Sequence, residues 1–87
     1  MEDERNQSST LEWHEPRRKH YLSGRPVHSG DLIEVCFSSG WLPMRYEWND
    51  SQIAPHFHFT VELGGGRVWQ SFLELPDDVL LRWPAVR

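Results

Sequence analysis

The feature that most constrains the fold of this chain is a strict alternation of polar and apolar residues between His56 and Leu63. Four large apolar residues fall on one side of this stretch, namely Phe57, Phe59, Val61 and Leu63. Such alternation is typical of a β-strand with one buried face. Three glycines follow at positions 64–66, and glycine readily adopts the positive φ angles that a tight reversal requires. Since residues 67–72 are again rich in β-forming side chains, the sequence predicts a β-hairpin.

Shorter β-type runs on both sides of the hairpin complete a prediction of five strands. The first two are expected at residues 32–37 and 41–48, and a short fifth strand is expected at residues 80–83. A one-turn helical or 3-10 element is expected just before it, at residues 75–78. The face of the first strand that carries Glu34 is assigned to solvent. The core-facing residues of the first two strands are then Ile33, Val35, Phe37, Leu42, Met44, Tyr46 and Trp48.

The order of these elements is similar to that of SH3-like barrels over residues 27–84. In both, a tight hairpin joins the third and fourth strands, and a one-turn element precedes the fifth. The sequence signature of peptide-binding SH3 domains is not visible, so their preference for proline-rich ligands does not carry over. The chain also looks like small uncharacterised bacterial proteins, a resemblance that implies no known activity. It rests on Gly30-Asp31-Leu32-Ile33-Glu34-Val35, Trp41-Leu42-Pro43, Arg45-Tyr46-Glu47-Trp48 and Leu81-Arg82-Trp83-Pro84. We therefore expect an all-β fold, a five-stranded SH3-like barrel formed by residues 23–87.

The N-terminal segment, residues 1–22, has a different composition. Its first ten residues are charged and polar without an apolar period, and Pro16 limits any helix to about one turn. We expect this segment to be mostly disordered or loosely attached. The basic run at residues 17–20 is interpreted as a solvated turn, or as a contact for an acidic partner or a phosphate.

Composition narrows the function mainly by exclusion. The net charge is −4, which disfavours a nucleic-acid binder because such proteins usually carry a basic surface. The single cysteine, Cys36, cannot form an internal disulfide and indicates a reducing compartment. No apolar run reaches the ~20 residues of a membrane span, and the first ten residues lack a signal-peptide core. A cytoplasmic protein is expected, without a membrane association.

Two histidines are the sharpest candidates for chemistry. His56 and His58 are two residues apart in the predicted strand, so both project from the same face and could share a metal ion. The alternative is a pair of surface histidines that alternate with core phenylalanines, and no metal-motif spacing completes the set. Cys36 in mid-strand is interpreted as a small hydrophobic residue. The glycines at 64–66 lack the Lys-Ser/Thr that follows a phosphate-binding loop. Neither a cofactor nor an enzymatic activity is therefore expected.

The tryptophans point instead to recognition. A barrel of this size has few inward positions, and Trp, Tyr and Arg dominate binding hot spots. The candidate binding residues are Trp41, Arg45, Arg67, Trp69 and Trp83. The alternative is that these rings pack under the N-terminal segment or cap the ends of the barrel. The predicted function is a small non-catalytic binding or adaptor module for a protein or peptide partner. A nucleic-acid-binding barrel and a metal-binding protein are the alternatives. An exposed edge strand would also allow a weak homodimer beside the monomer.

Overall fold

The computed structural model describes residues 7–85, which contain eight β-strands and two short 3-10 turns but no helix long and apolar enough to cross a membrane. The prediction of an all-β fold is confirmed. The 3-10 turns lie at Glu15–Arg17 and Gly64–Gly66. The strands are β1 Glu12–His14, β2 Lys19–Leu22, β3 Arg25–Pro26, β4 Leu32–Phe37, β5 Gly40–Glu47, β6 His56–Glu62, β7 Val68–Leu73 and β8 Leu81–Arg82.

The larger sheet has five strands in the order β7-β6-β5-β4-β8, all antiparallel to their neighbours. The predicted hairpin is present as β6 and β7, and its turn is formed by the three glycines. Gly65 and Gly66 have φ angles of 77° and 76°, which L-residues with a side chain rarely adopt. The Leu63 N–H donates to the Arg67 carbonyl at 2.8 Å and closes the turn.

The five strands of the larger sheet were expected to form an SH3-like barrel, but this sheet does not close. Its two edges are β7 and β8, and these strands do not pair with each other. The reason is that β8 has only two residues and uses both of its sides elsewhere. One side pairs with β4, and the other exchanges two backbone hydrogen bonds between Leu81 and Ser9, at 2.8 and 2.9 Å.

A second, three-stranded sheet lies in the N-terminal region, in the order β1-β2-β3. The expectation that residues 1–22 are mostly disordered therefore differs from the structure for the described part of this segment. Residues 1–6 lie outside the described range. The division of the chain into residues 1–22 and 23–87 stays a prediction, although Tyr21 and Leu22 of β2 pair with β3 across it.

The core lies between the two sheets. Leu22 and Val27 from the N-terminal region are buried against the inner face of the larger sheet. The buried residues of that face are Ile33, Val35, Met44, Tyr46, Phe57 and Leu81. The assignment of faces is confirmed for these strands, but three of the residues expected in the core are exposed, namely Leu42, Val61 and Leu63. Residues 76–79 form a β-turn and not a helical turn, closed by the Val79 N–H and the Pro76 carbonyl at 3.3 Å.

Candidate binding surface

The inner face of the larger sheet is only half covered. The smaller sheet packs on the end that contains Tyr46 and Phe57, and the opposite end of the same face is open to solvent. We call this uncovered part the open half-face. Its exposed residues are Leu42, Val61 and Trp69, together with Leu73 beside Phe57 on the edge strand. The partly buried Phe59 lies among them and packs against the core.

The open half-face is apolar and concave. A groove of about 510 Å³ runs over it, with Phe37, Met44 and Phe59 among its lining residues and with Leu42, Val61 and Leu73 at its exposed margins. None of the residues that line this groove carries a charge. Val61 pairs with Trp69 of β7, whose indole therefore extends the same face toward the edge of the sheet.

The five predicted binding residues do not converge on one surface. Trp69 belongs to the open half-face and is 61% exposed. Trp41 and Arg45 alternate with Leu42 and Met44 along β5, so they lie on the outer face, on the far side of the sheet. Arg67 follows the glycine turn at the tip of the hairpin, where its carbonyl accepts the closing hydrogen bond.

Two of the predicted binding residues, Trp41 and Trp83, contact other side chains of the same chain. The Trp83 indole N–H donates to the Leu22 carbonyl at 2.9 Å, and the Arg25 guanidinium lies 4.0 Å from the centre of its ring. Arg82 covers the Trp41 ring at 4.1 Å and forms an ion pair with Glu34 at 2.6 Å. Trp83 and Trp41 thus both take part in contacts within the chain.

His56 and His58 lie side by side on the outer face, with ring centres 6.2 Å apart. The His56 ring stacks on Phe72 at 4.1 Å, and its Nε2 atom lies 3.2 Å from a Glu74 carboxylate oxygen. Within residues 7–85, no group of three His, Cys, Asp or Glu residues is arranged to hold a metal ion. The nearest acidic group, Glu74, contacts only one of the two histidines through a hydrogen bond.

A second cavity, of about 410 Å³, lies where the smaller sheet meets the loops after β5 and β7. Trp13, His20 and Phe57 line it together with Asp77. His20 Nδ1 shares a hydrogen bond of 2.8 Å with the Tyr46 hydroxyl, and burial lowers the pKa of His20. Burial, and to a smaller extent the negative charge of Asp31, raise the pKa of Tyr46.

The sequence alone did not identify Leu42, Val61 and Leu73 as surface residues. Alternation marked the first two as members of an apolar face, and a residue on such a face is normally buried. The length of the hairpin strands could have distinguished these residues from core residues, because the strands extend well beyond any segment able to cover them. Trp13 and His20, whose rings lie 5.0 Å apart in the β1–β2 pair, were missed because both contact Trp48 in a distant part of the chain.

Comparison with known proteins adds no assignment, since no protein-family model, curated protein or solved structure matches this chain. The surfaces of the molecule are therefore the basis for a function.

Proposed function

We propose that the protein is a small non-catalytic binding module that recognises a protein or peptide partner through the open half-face. The observation that supports this proposal is the contiguous apolar surface formed by Leu42, Val61, Trp69 and Leu73 on an otherwise acidic chain. Monomeric proteins rarely leave large contiguous apolar patches uncovered, and such patches commonly mark interaction sites.

The chemistry of the surface favours a partner that presents aliphatic or aromatic side chains. An apolar groove without charged lining residues gains affinity from desolvation, and a large ring such as Trp69 buries on the order of 150–250 Å² when it is fully covered. The partner segment is expected to seat apolar anchors beside Phe59, which lines the groove. The recognition surface proposed here is thus mainly aliphatic, with one exposed tryptophan.

Charge supports a protein partner over a nucleic acid. Arg45 pairs with Glu47 at 2.6 Å and Arg82 pairs with Glu34, so these cations are already neutralised. Nucleic-acid affinity depends largely on cations that contact phosphates, and the net charge of the chain is −4. We further propose an open variant of the SH3-like architecture and a cytoplasmic location in a bacterial cell. The strand order supports the architecture, the single cysteine supports the cytoplasmic location, and the bacterial source rests on the resemblance described under Sequence analysis.

The test compares two leucines with similar exposure on opposite faces of the larger sheet. Leu42 lies on the open half-face and is 48% exposed, whereas Leu32 lies on the outer face and is 55% exposed. Peptides are first selected from a displayed library against the unmodified chain. Leu42→Ser should then weaken binding of the selected peptides by about tenfold or more, since it removes an apolar contact worth roughly 1.5–3 kcal/mol. The matched variant Leu32→Ser should leave the affinity unchanged.

Thermal unfolding of both variants accompanies the binding measurements, because a loss of fold would also remove binding. The proposal is contradicted if selected peptides bind Leu42→Ser and the unmodified chain equally well. It is also contradicted if Leu32→Ser, and not Leu42→Ser, abolishes their binding.

A further inference from the structure

Strand β7 is an unprotected edge. Among the described strands at a sheet edge it is the longest, since β8 is flanked by Ser9 and the outer strands of the smaller sheet have only two or three residues. Edge strands in monomers usually carry charged residues, a proline or a bulge that prevents pairing with another chain. Val68–Leu73 reads Val-Trp-Gln-Ser-Phe-Leu and contains neither a charge nor a proline, and its register with β6 is continuous.

The direction of the free hydrogen-bonding groups of β7 follows from the closing pair of the turn. Leu63 and Arg67 are hydrogen-bonded, and the antiparallel pattern alternates between bonded and non-bonded pairs. The residues at 69, 71 and 73 therefore direct their N–H and C=O groups toward β6. Val68, Gln70 and Phe72 direct theirs away from the sheet, which gives three donors and three acceptors at regular intervals along the edge.

We propose that a second copy of this chain pairs with β7 in an antiparallel arrangement, with the two-fold axis at Gln70. In this register Gln70 faces Gln70 of the second copy, and Val68 faces its Phe72. These are the residues with outward-directed backbone groups, so the pairing forms six hydrogen bonds. A shift by two residues would place Val68 opposite Glu74 and lose two of those bonds.

The side chains fit this register on both faces. On the outer face, each Val68 packs against the second copy's Phe72, whose ring is already held by His56 at 4.1 Å. On the inner face, each Trp69 lies opposite the second copy's Ser71, a small residue that leaves room for the indole. A single register thus accommodates the largest side chain of the strand and joins its apolar residues.

The charges that flank β7 favour the antiparallel direction. Arg67 precedes the strand and Glu74 follows it. Antiparallel pairing brings the Arg67 end of each β7 to the Glu74 end of the other, so opposite charges lie at both ends of the shared edge, with the two side chains on opposite faces of the sheet. A parallel pair would place the arginines together at one end and the acidic residues together at the other.

The pairing is limited to two copies and to modest affinity. The opposite edge of the larger sheet is occupied by Ser9, so the ten-stranded sheet of the dimer has no free edge of comparable length. The exposed side chains of β7 offer on the order of 400 Å² of apolar surface per copy, below the ~800 Å² per partner of standard stable interfaces. A concentration-dependent dimer is expected. Trp69 and Leu73 belong to both surfaces, but edge pairing leaves Leu42 and Val61 of the open half-face uncovered, so the inference does not depend on the proposed function.

The test introduces charges at Gln70, the residue that lies on the proposed two-fold axis. Gln70→Lys and Gln70→Glu each place two like charges opposite one another, so each variant alone should dimerise at least about tenfold more weakly than the unmodified chain. An equimolar mixture of the two variants should restore association as a mixed dimer. Thr60→Lys is the matched control, because Thr60 pairs with Gln70 on the same face but lies on β6, away from the edge. It should dimerise like the unmodified chain.

Sedimentation velocity from about 10 µM to about 1 mM measures all five samples over the range expected for a weak dimer. Monomeric behaviour of the unmodified chain throughout this range overturns the proposal, even if peptide strands of another sequence bind to β7. The proposal is equally overturned if either Gln70 variant alone dimerises normally, or if their mixture remains monomeric. Circular dichroism of each variant verifies that the strands are retained.

Discussion

The burial of Leu22 provides the most direct test of the N-terminal sheet. Leu22 ends β2, is fully buried and lies in one cluster with Val27 and Ile33. The sequence placed this residue in a segment expected to be mostly disordered, where truncation of a leucine would have little effect. In the structure, Leu22→Ala removes a side chain that fills the space between the two sheets.

The expected cost follows from the burial. Replacing a fully buried leucine by alanine costs about 2–5 kcal/mol, through lost transfer free energy and the cavity that remains. A domain of this length has a free energy of unfolding of about 4–13 kcal/mol. A loss of about 3 kcal/mol would therefore remove a large share of the stability and lower the Tm by about 12–24 °C.

Urea unfolding followed by tryptophan fluorescence and by circular dichroism measures this loss. Leu32→Ala is the matched control, because Leu32 is more than half exposed on the outer face and its truncation should change the free energy of unfolding by no more than about 0.5 kcal/mol. If Leu22→Ala proves as stable as Leu32→Ala, the smaller sheet does not pack on the larger one, and the two-sheet core described above is refuted.

Three further outcomes are expected. Burial lowers the pKa of His20, so this histidine binds a proton more tightly in the unfolded chain than in the folded one. The free energy of unfolding should therefore fall as the pH drops below about 6.5. Acid titration of the His20→Gln variant should show a smaller fall. Gly65→Ala should destabilise by about 1–2 kcal/mol in thermal unfolding because φ is 77°, whereas Gly64→Ala, in the same turn without a positive φ, should not. Arg82→Gln should lower the Tm by a few degrees, because it removes the ion pair with Glu34 and the contact with Trp41. A Tm equal to that of the unmodified chain would contradict these contacts.

The strands of the larger sheet could be predicted because their signal is local. Alternation over Leu32–Phe37 and His56–Glu62 gives both the element and the face that turns inward, and three glycines determine the reversal between β6 and β7. The smaller sheet carries no such pattern. Its strands have two to four residues, Pro16 interrupts them, and their burial comes from partners such as Ile33 that lie elsewhere in the chain.

The candidate surface was predicted only in part. Trp69 was identified by its residue type, since a large ring on a short strand has few buried positions available. The aliphatic remainder of the open half-face was assigned to the core, because periodicity indicates which residues share a face but not whether another layer covers it. Leu42 and Met44 occupy equivalent positions in the pattern, yet one is exposed and the other buried. The extent of the smaller sheet decides between them.

The hydrogen bond between the Trp83 indole and the Leu22 carbonyl has a consequence for the order of events during biosynthesis. It joins residues 61 positions apart, and the pairing of Ser9 with Leu81 closes the same long loop. Contacts of such high sequence separation form slowly, because the entropy of loop closure is lost before the contacts are gained. The hairpin of β6 and β7 can form as soon as it is synthesised, whereas the N-terminal region meets Leu81 and Trp83 only after these residues have been synthesised. Nascent chains should therefore remain protease-sensitive near β1 and β2 until Trp83 has left the ribosome.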